Sequence, residues 1–431
     1  MNKVNILIFP SGSVNAIDIY DSLKYNLHFN VFGASGKSDH TEYVYPKENF
    51  HIGDLYITND NFFEEFNKIL EKFKIDYVFP THDTVALFLM ENKEKIKSTV
   101  ICSPVETTRI ARSKRKIYYQ LKNTDIIPNI YDTIEDVDEF PVFLKPDIGE
   151  GGKRTCTVDN KESLKSIIIE NEDMIISELL PGDEYTVDCF TNSKRELLFV
   201  GPRTRERITM GLAFRSETVP LTKEFQRIAD ILNKTFIFRK SWYFQVKRDK
   251  KGELKLTEFS VRQAGTMALY RELGINFAAL SVFDFMGIDV KILFNNYNLV
   301  LDRRLRNCFK LNYDYDKIYI DLDDTLIVKE KVNTDLLKLI YQSIEKNKKI
   351  ILLTKHENVL ETTLKKYRIN KDLFDEIILI DKNKNKSDYI DSVKAIFIDN
   401  YFPERLDVKE RFNIPVFDVD AVECLIDSSM L

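Results

Sequence analysis

The sequence predicts a multidomain protein of mixed α/β and α+β class. Three observations carry this. Residues 1–112 alternate short apolar runs with helical periodicity, which builds a parallel sheet with crossover helices. Residues 113–310 hold a glycine-rich loop and a run that reads as a β-hairpin, the signs of antiparallel pairing. Residues 315–431 return to strand–helix alternation, the pattern of a small doubly wound unit. A chain of 431 residues allows about three units of ordinary domain size. None of its 14 glycines lies beyond Gly287, so composition changes where the last unit begins. The junction is expected in the polar stretch 295–316.

In the first segment, VNILIF reads as a strand and 14–27 as an amphipathic helix. FNVFG, DYVFP and TVIC read as further strands, and 61–73 and 83–92 as helices. The loop PSGSVN lacks GxGxxG and is therefore not a dinucleotide fingerprint. In the second segment a helix at 113–122 leads to the strand PVFLKP, a helix at 161–169, the strands MIISELL and YTVDCF, and the hairpin SWYFQVKRDKKGELKLTEFS. In the third, KIYIDL, KIILLT, EIILI, KAIFID and PVFDV read as strands, with helices at 334–346, 358–367 and 403–412.

The formal charge of −5 argues against polybasic nucleic-acid or membrane-surface binding. No apolar run approaches the roughly 20 residues of a membrane span. Cysteines 102, 156, 189, 308 and 424 form no CxxC pair, and the five histidines do not cluster. Reduced thiols, a cytoplasmic location and no zinc site are expected.

Lys145 closes an apolar strand and is followed by Gly149, Gly151 and Gly152. Glycines let backbone N–H groups approach an anion, and lysine adds a mobile positive charge. Taken alone, the loop also reads as a plain turn. A two-residue turn at Lys251 and Gly252 sets Gln245 opposite Glu258, with Ser260 and Arg262 on the same face. Amide, carboxylate and hydroxyl oxygens suit Mg²⁺ on a polyphosphate, and arginine suits a phosphoryl group. A solvated outer strand face is the alternative. Arg203, Arg205 and Arg207 alternate and share a face if they lie in one strand. With Arg215 and Arg271 they can serve an anionic acyl substrate, or be a solvated basic face.

KRKIYYQL, FLKPDIGEGGK, ISELLPGDEYTVD and FQV…TEFSVR, in this order, resemble the ATP-grasp superfamily and, within it, the carbamoyl-phosphate-synthetase-like branch. The resemblance spans roughly 1–300 and implies a parallel-sheet pre-ATP-grasp domain (1–112) followed by an ATP-grasp domain (113–310). It implies that Lys114 and Lys145 hold nucleotide phosphates under the loop with Gly151 and Gly152. Glu178 and the backbone of Leu179 and Leu180 meet adenine, and Glu184 meets ribose. Gln245, Glu258 and Ser260 bind Mg²⁺, and Arg262 contacts the γ-phosphate. Ser260 stands where the family often has asparagine. Ala213 stands where the synthetase branch has a histidine tied to bicarbonate, and there is one grasp unit rather than two, so carbamoyl phosphate synthesis is not expected.

In KIYIDLDDTL, Asp321 and Asp323 sit two apart at a strand end, so one can attack phosphorus while the other protonates a leaving oxygen. Asp399 ends another strand and can complete a Mg²⁺ site; Thr354 and Lys386 can bind phosphoryl oxygens. An acidic loop or helix cap is the alternative. The order DLDDT, Thr354, Lys386, Asp399 resembles the haloacid dehalogenase (HAD) superfamily across 315–431. It implies a Rossmann-like, capless domain in which Asp321 is nucleophile, Asp323 is general acid/base, Thr354 and Lys386 hold phosphate, and Asp321, Asp323 and Asp399 hold Mg²⁺. Lys382 and Lys384 are neighbouring candidates for the phosphate lysine, and Asn400 stands where many relatives have aspartate.

The combined expectation is a bifunctional enzyme using ATP and Mg²⁺. A ligase joins a small-molecule carboxylate to an amine through an acyl phosphate, and a phosphatase acts on a related phosphorylated small molecule. No nucleic-acid or membrane partner is expected, and an oligomer is compatible with the sequence. A small-molecule kinase, or a nucleotide-binding scaffold with a degenerate HAD unit, are the rival readings.

Overall fold

The computed structural model describes residues 3–149, 151–171, 173–209, 211–304, 308–309 and 311–429. The chain divides into two compact units, one of residues 1–42 and 47–305, the other of 43–46 and 306–431.

The first unit opens with a five-stranded parallel sheet. Its central strand, Val4–Phe9, pairs with Phe29–Ser35 on one side and Tyr77–Pro80 on the other. Phe50–Ile52 and Thr99–Val100 form the edges. The helix expected over 14–27 ends at Leu23. Tyr25 and Leu27 are exposed, so the residues beyond have no apolar face to bury. Helix Asp83–Glu91 starts at the carboxyl end of Tyr77–Pro80.

Two antiparallel four-stranded sheets follow. One orders Ile130–Tyr131, Met174–Glu178, Val142–Pro146 and Cys156–Val158. The other orders Leu197–Thr204, Glu184–Thr191, Lys240–Arg248 and Leu254–Ser260. One apolar core joins Leu7, Phe62 and Phe66 of the parallel layer to Trp242, Phe244 and Phe259 of the antiparallel one. Residues 1–112 and the antiparallel sheets therefore exclude water together rather than separately.

The hairpin 240–260 departs from the expected turn. Its loop has three residues, Lys250 to Gly252. Asp249 and Glu253 close it through an N–H···O bond of 2.9 Å, and Gly252 has φ +82°. A glycine in the left-handed region at that position is what a three-residue hairpin loop requires. The loop shifts the register by one residue, pairing Val246 with Leu256. A bulge at Thr257 shifts it back, so that Gln245 still faces Glu258 and Tyr243 faces Ser260.

Arg203 and Arg205 line one pocket, but Arg207 does not share their face. The strand breaks after Thr204, and Arg207 has φ +46°. Arg203 is fully buried against Asp188, with Nε–Oδ2 at 2.7 Å and Nη2–Oδ1 at 3.1 Å. Burial raises the Asp188 pKa, opposed by Arg203. Arg207 and Arg215 pair on the surface with Asp302.

The second unit is a five-stranded parallel sheet ordered Glu376–Leu379, Lys349–Thr354, Lys317–Ile320, Ala395–Ile398, Val416–Phe417. A small hairpin, Ile327–Val328 with Lys331–Val332, follows the central strand before helix Thr334–Glu345. Both faces carry apolar clusters, around Ile318 and Leu352 on one and Tyr319 and Phe397 on the other. No described helix is long and apolar enough to cross a membrane.

The Arg203–Asp188 pair gives a direct test of core electrostatics. Arg203→Met strands a buried carboxylate and should lower unfolding free energy by about 3–5 kcal/mol. Adding Asp188→Leu should restore much of that loss in urea melts. Equal instability of the single and double variants would show that packing, not charge, fixes this site.

Candidate functional site

In the first unit, Lys145 lies on strand Val142–Pro146 and is 6% exposed. Its Nζ donates to the Tyr118 hydroxyl at 2.5 Å, and Tyr118 donates to the carbonyl of bulged Thr257 at 2.8 Å. Burial pulls the Lys145 pKa down to about 7, and neighbouring Lys114 adds to the effect. Tyr118 lies four residues after Lys114 on helix Lys114–Leu121, so both reach the same side. Ser113 caps that helix by accepting from the Lys116 N–H, and its hydroxyl donates to Asp147 at 2.8 Å. Those bonds tie the helix start to the end of the lysine strand.

Lys114 Nζ stands 3.5 Å from Glu258 Oε2. Lys114, Lys145, Gly149, Gly151, Gly152, Glu178, Leu180, Glu184, Gln245 and Glu258 all line one cleft, with about 1030 Å³ of empty space that includes open solvent. Glu150 of the glycine loop lies outside the described residues. The loop packs closely on Gly211: a Cβ there would sit 2.4 Å from the Gly151 Cα, so only glycine allows the approach. One Glu178 oxygen accepts the Asn129 N–H at 2.9 Å, and Glu184 meets Arg205 Nε at 2.6 Å.

Ser260 and Arg262 do not line this cleft. Ser260 donates to Asp83 Oδ1 at 2.6 Å, and Arg262 Nε donates to Asp83 Oδ2 at 2.7 Å. Burial works to raise the Asp83 pKa, but Arg262 and Ser260 bring it below the usual range. Of the three expected metal ligands, two therefore converge. Among the described residues, no group of three or more His, Cys, Asp or Glu is arranged to hold a metal. One carboxylate and one amide oxygen fit a Mg²⁺ ion whose remaining ligands are phosphate oxygens and water.

A smaller pocket adjoins the cleft and shares Arg205, Gly211 and Gln245 with it; Arg203, Arg262, Arg303, Asn15 and Ala213 are among its other lining residues. Arg303 pairs with Asp18 at 3.1 Å. Burial raises the Asp18 pKa to about 7 against the pull of Arg303 and Arg271. Ala213 leaves no titratable side chain at its place in this wall. Tyr118, Asp83 and Arg303 were not signalled by any local pattern.

In the second unit, Asp321 follows strand Lys317–Ile320, Thr354 ends Lys349–Thr354, and Asp399 follows Ala395–Ile398. All three meet at the carboxyl end of the sheet. Lys386, which starts the short 3₁₀ helix Lys386–Tyr389, places Nζ 2.6 Å from Asp321 Oδ1 and 2.5 Å from Asp399 Oδ2. Burial opposes the charge on Lys386, but the two carboxylates outweigh it and raise its pKa. Burial also raises both carboxyl groups, against Lys386. Thr325 Oγ1 lies 3.2 Å from both Asp321 Oδ2 and Asn400 Oδ1, alternative acceptors for its single hydrogen, and accepts the Asn400 N–H at 3.0 Å.

Asp323 does not join the other carboxylates. Both its oxygens lie near His356 Nδ1, at 3.0 and 2.9 Å. His356 is a residue that sequence reasoning missed. Asp321, Asp323, His356, Lys386 and Asp399 nevertheless border one open depression, as does Lys382.

Residues 170–298 match the family model described as ATP-grasp in the biosynthetic pathway with Ter operon. No curated protein matches the chain. Among solved structures, N5-carboxyaminoimidazole synthetase from Staphylococcus aureus, complexed with ADP, is similar at TM-score 0.59 and 15% identity, over 71% of this chain and 83% of that one. Biotin carboxylase from Campylobacter jejuni is similar at TM-score 0.58 and 16% identity, over 69% and 74%. L-amino acid ligase from Bacillus licheniformis is similar at TM-score 0.51 and 17% identity, over 65% and 73%. Over 69–71% of its length the chain thus has the fold of the synthetase and the carboxylase, and the ATP-grasp match lies within residues 170–298.

Proposed function

We propose that the first unit is an ATP-dependent ligase that joins a carboxylate to an amine. The observation that carries this reading is the convergence of Lys114, Lys145, Gln245 and Glu258 with the glycine loop in one cleft, next to an arginine-lined pocket. A similar fold in an L-amino acid ligase and an N5-carboxyaminoimidazole synthetase supports it. Lys114, Lys145 and the N–H groups at Gly151 and Gly152 hold the phosphates. Glu178 and Leu180 border adenine, and Glu184 holds ribose. Glu258 and Gln245 would hold Mg²⁺, which offsets the negative charge of the phosphates. Arg205, Arg262 and Arg303 orient an anionic acid. Its carboxylate oxygen attacks the γ-phosphorus, the bond to the β-phosphate oxygen breaks, and ADP leaves. The amine nitrogen then attacks the acyl carbon, loses a proton and expels phosphate. Enclosure in the cleft keeps water from the acyl phosphate.

For the second unit we propose an aspartyl phosphatase of HAD type. The convergence of Asp321, Asp399 and Lys386 at one sheet end, where strand Lys349–Thr354 also ends, supports it. Asp321 attacks phosphorus, Lys386 and Thr354 hold phosphoryl oxygens, and Asp323 protonates the leaving oxygen. Asp321 and Asp399, which already flank one cation, would hold Mg²⁺.

The test is ADP release by the full chain across paired carboxylates and amines, with mass spectrometry of products. ADP with a stable phosphorylated product and no amide would identify a kinase. Nucleotide binding without turnover would identify a sensing module. Glu258→Gln should keep the melting temperature and lower ATP turnover by about 100-fold or more; full turnover in that variant would remove the proposed metal site.

Lys145 predicts the pH dependence. In the free protein its ammonium is present below about pH 7 and lost above it. Bound phosphates favour the charged form, so ATP binding should take up a proton above pH 7. Affinity should fall as pH rises from 6 to 9, by up to about tenfold per unit. Calorimetry in buffers of different ionisation enthalpy reads this directly, and Lys145→Met should abolish the slope.

Asp321→Asn should eliminate phosphate release from generic phosphate esters while ligation proceeds at the wild-type rate. Wild-type phosphate release in that variant would sink the nucleophile assignment.

A further inference from the structure

We infer that His356 is a positioning residue for acid–base chemistry in the second unit, fixing the Asp323 carboxylate where the leaving group departs. The inference rests on the phosphatase reading of that unit. The Asp323 side chain is 53% exposed, whereas that of His356 is 5% exposed. An exposed carboxylate samples several rotamers in water unless something anchors it. Here a buried imidazole does so. Nδ1 lies 3.0 and 2.9 Å from the two Asp323 oxygens, and Nε2 lies 2.7 Å from Thr363 Oγ1 on helix Leu360–Lys366. Nδ1–H donating to an Asp323 oxygen leaves Nε2 to accept from the Thr363 hydroxyl. The ring is thus held from both sides.

The backbone of His356 reaches the other half of the site. Its N–H donates to Oγ1 of the fully buried Thr354 at 3.2 Å. One residue therefore sets both the proposed phosphate-binding hydroxyl and the proposed general acid. When Asp321 forms its bond to phosphorus, the bond to the leaving oxygen breaks, and that oxygen takes the proton of the Asp323 carboxyl. The second Asp323 oxygen keeps its bond from Nδ1–H throughout. Water then attacks phosphorus, returns a proton to Asp323 and releases phosphate, restoring the Asp321 carboxylate.

Leaving-group dependence separates this role from simple structural support, because a good leaving group departs with little help from an acid. The full chain and its His356→Ala, His356→Asn and Asp323→Asn variants would be assayed on p-nitrophenyl phosphate and on a simple alkyl phosphate. His356→Ala should lose at least about tenfold in kcat on the alkyl ester, much less on the nitrophenyl ester, with KM little changed. Asp323→Asn should give the same pattern, more strongly. His356→Asn, whose amide N–H can replace Nδ1–H, should recover part of the loss, and it remains informative if the alanine variant misfolds. Equal losses on both esters, no loss, or no recovery with asparagine would overturn the inference. A wild-type chain that hydrolyses neither ester would instead overturn the phosphatase reading beneath it.

Discussion

The arrangement of the first unit depends on a single buried chain of hydrogen bonds, from Lys145 to Tyr118 to the carbonyl of Thr257. An ammonium at 6% exposure needs an acceptor, and an aromatic hydroxyl at that depth needs one in turn. The acceptor that ends the chain is the carbonyl of Thr257, the residue left without a Cα partner where the hairpin register shifts. The same bulge restores the pairing of Gln245 with Glu258. A local irregularity in one hairpin thus places a lysine from one sheet, a tyrosine from a helix and an oxygen pair from a second sheet around one cleft.

Both units handle charge in the same way. Cations and carboxylates are set close together, and burial is left to make each pair sensitive to what binds. In the first unit the cations are in excess at the phosphate end, where Lys114 and Lys145 oppose one another, while Asp83 holds Arg262 and Asp18 holds Arg303. In the second unit the carboxylates are in excess, with two of them on Lys386. The former composition suits a polyanion. The latter suits a cation. The Arg203–Asp188 pair has one of each, so its charges balance within the pair.

Much of the fold was legible because apolar runs of strand length recur with chemistry at their ends. Lys145, Asp321, Thr354 and Asp399 each stand at or just past the end of such a run, and a parallel sheet gathers the last three of those ends. Other features were not legible. Gln245 and Glu258 were paired in the sequence by a two-residue turn, whereas the chain reaches that pairing by a longer loop and a compensating bulge; no sequence pattern distinguishes the two routes. The three alternating arginines read as one face only on the assumption of an unbroken strand, and the positive φ of Arg207 breaks it. Asp83, Arg303 and His356 act across 179, 285 and 33 positions of chain, respectively. Contacts at such separations leave no periodicity, and Ser260 could not be seen to belong to Asp83 rather than to a metal.

The bulge also gives the hairpin two independent registers, one for its tip and one for its functional pair. Residues 249–253 close on themselves through Asp249, whose side chain accepts from Lys251 and Glu253. What happens beyond Thr257 therefore does not have to follow what happens before it. Residues added between Asp249 and Glu253 would lengthen the loop, while the rungs behind it stay fixed by their pairing with strand Glu184–Thr191. The tip is thus a tolerant place for lineage-specific insertions, and a suitable point at which to fuse a reporter or an affinity handle. The codon for Thr257 has no such freedom.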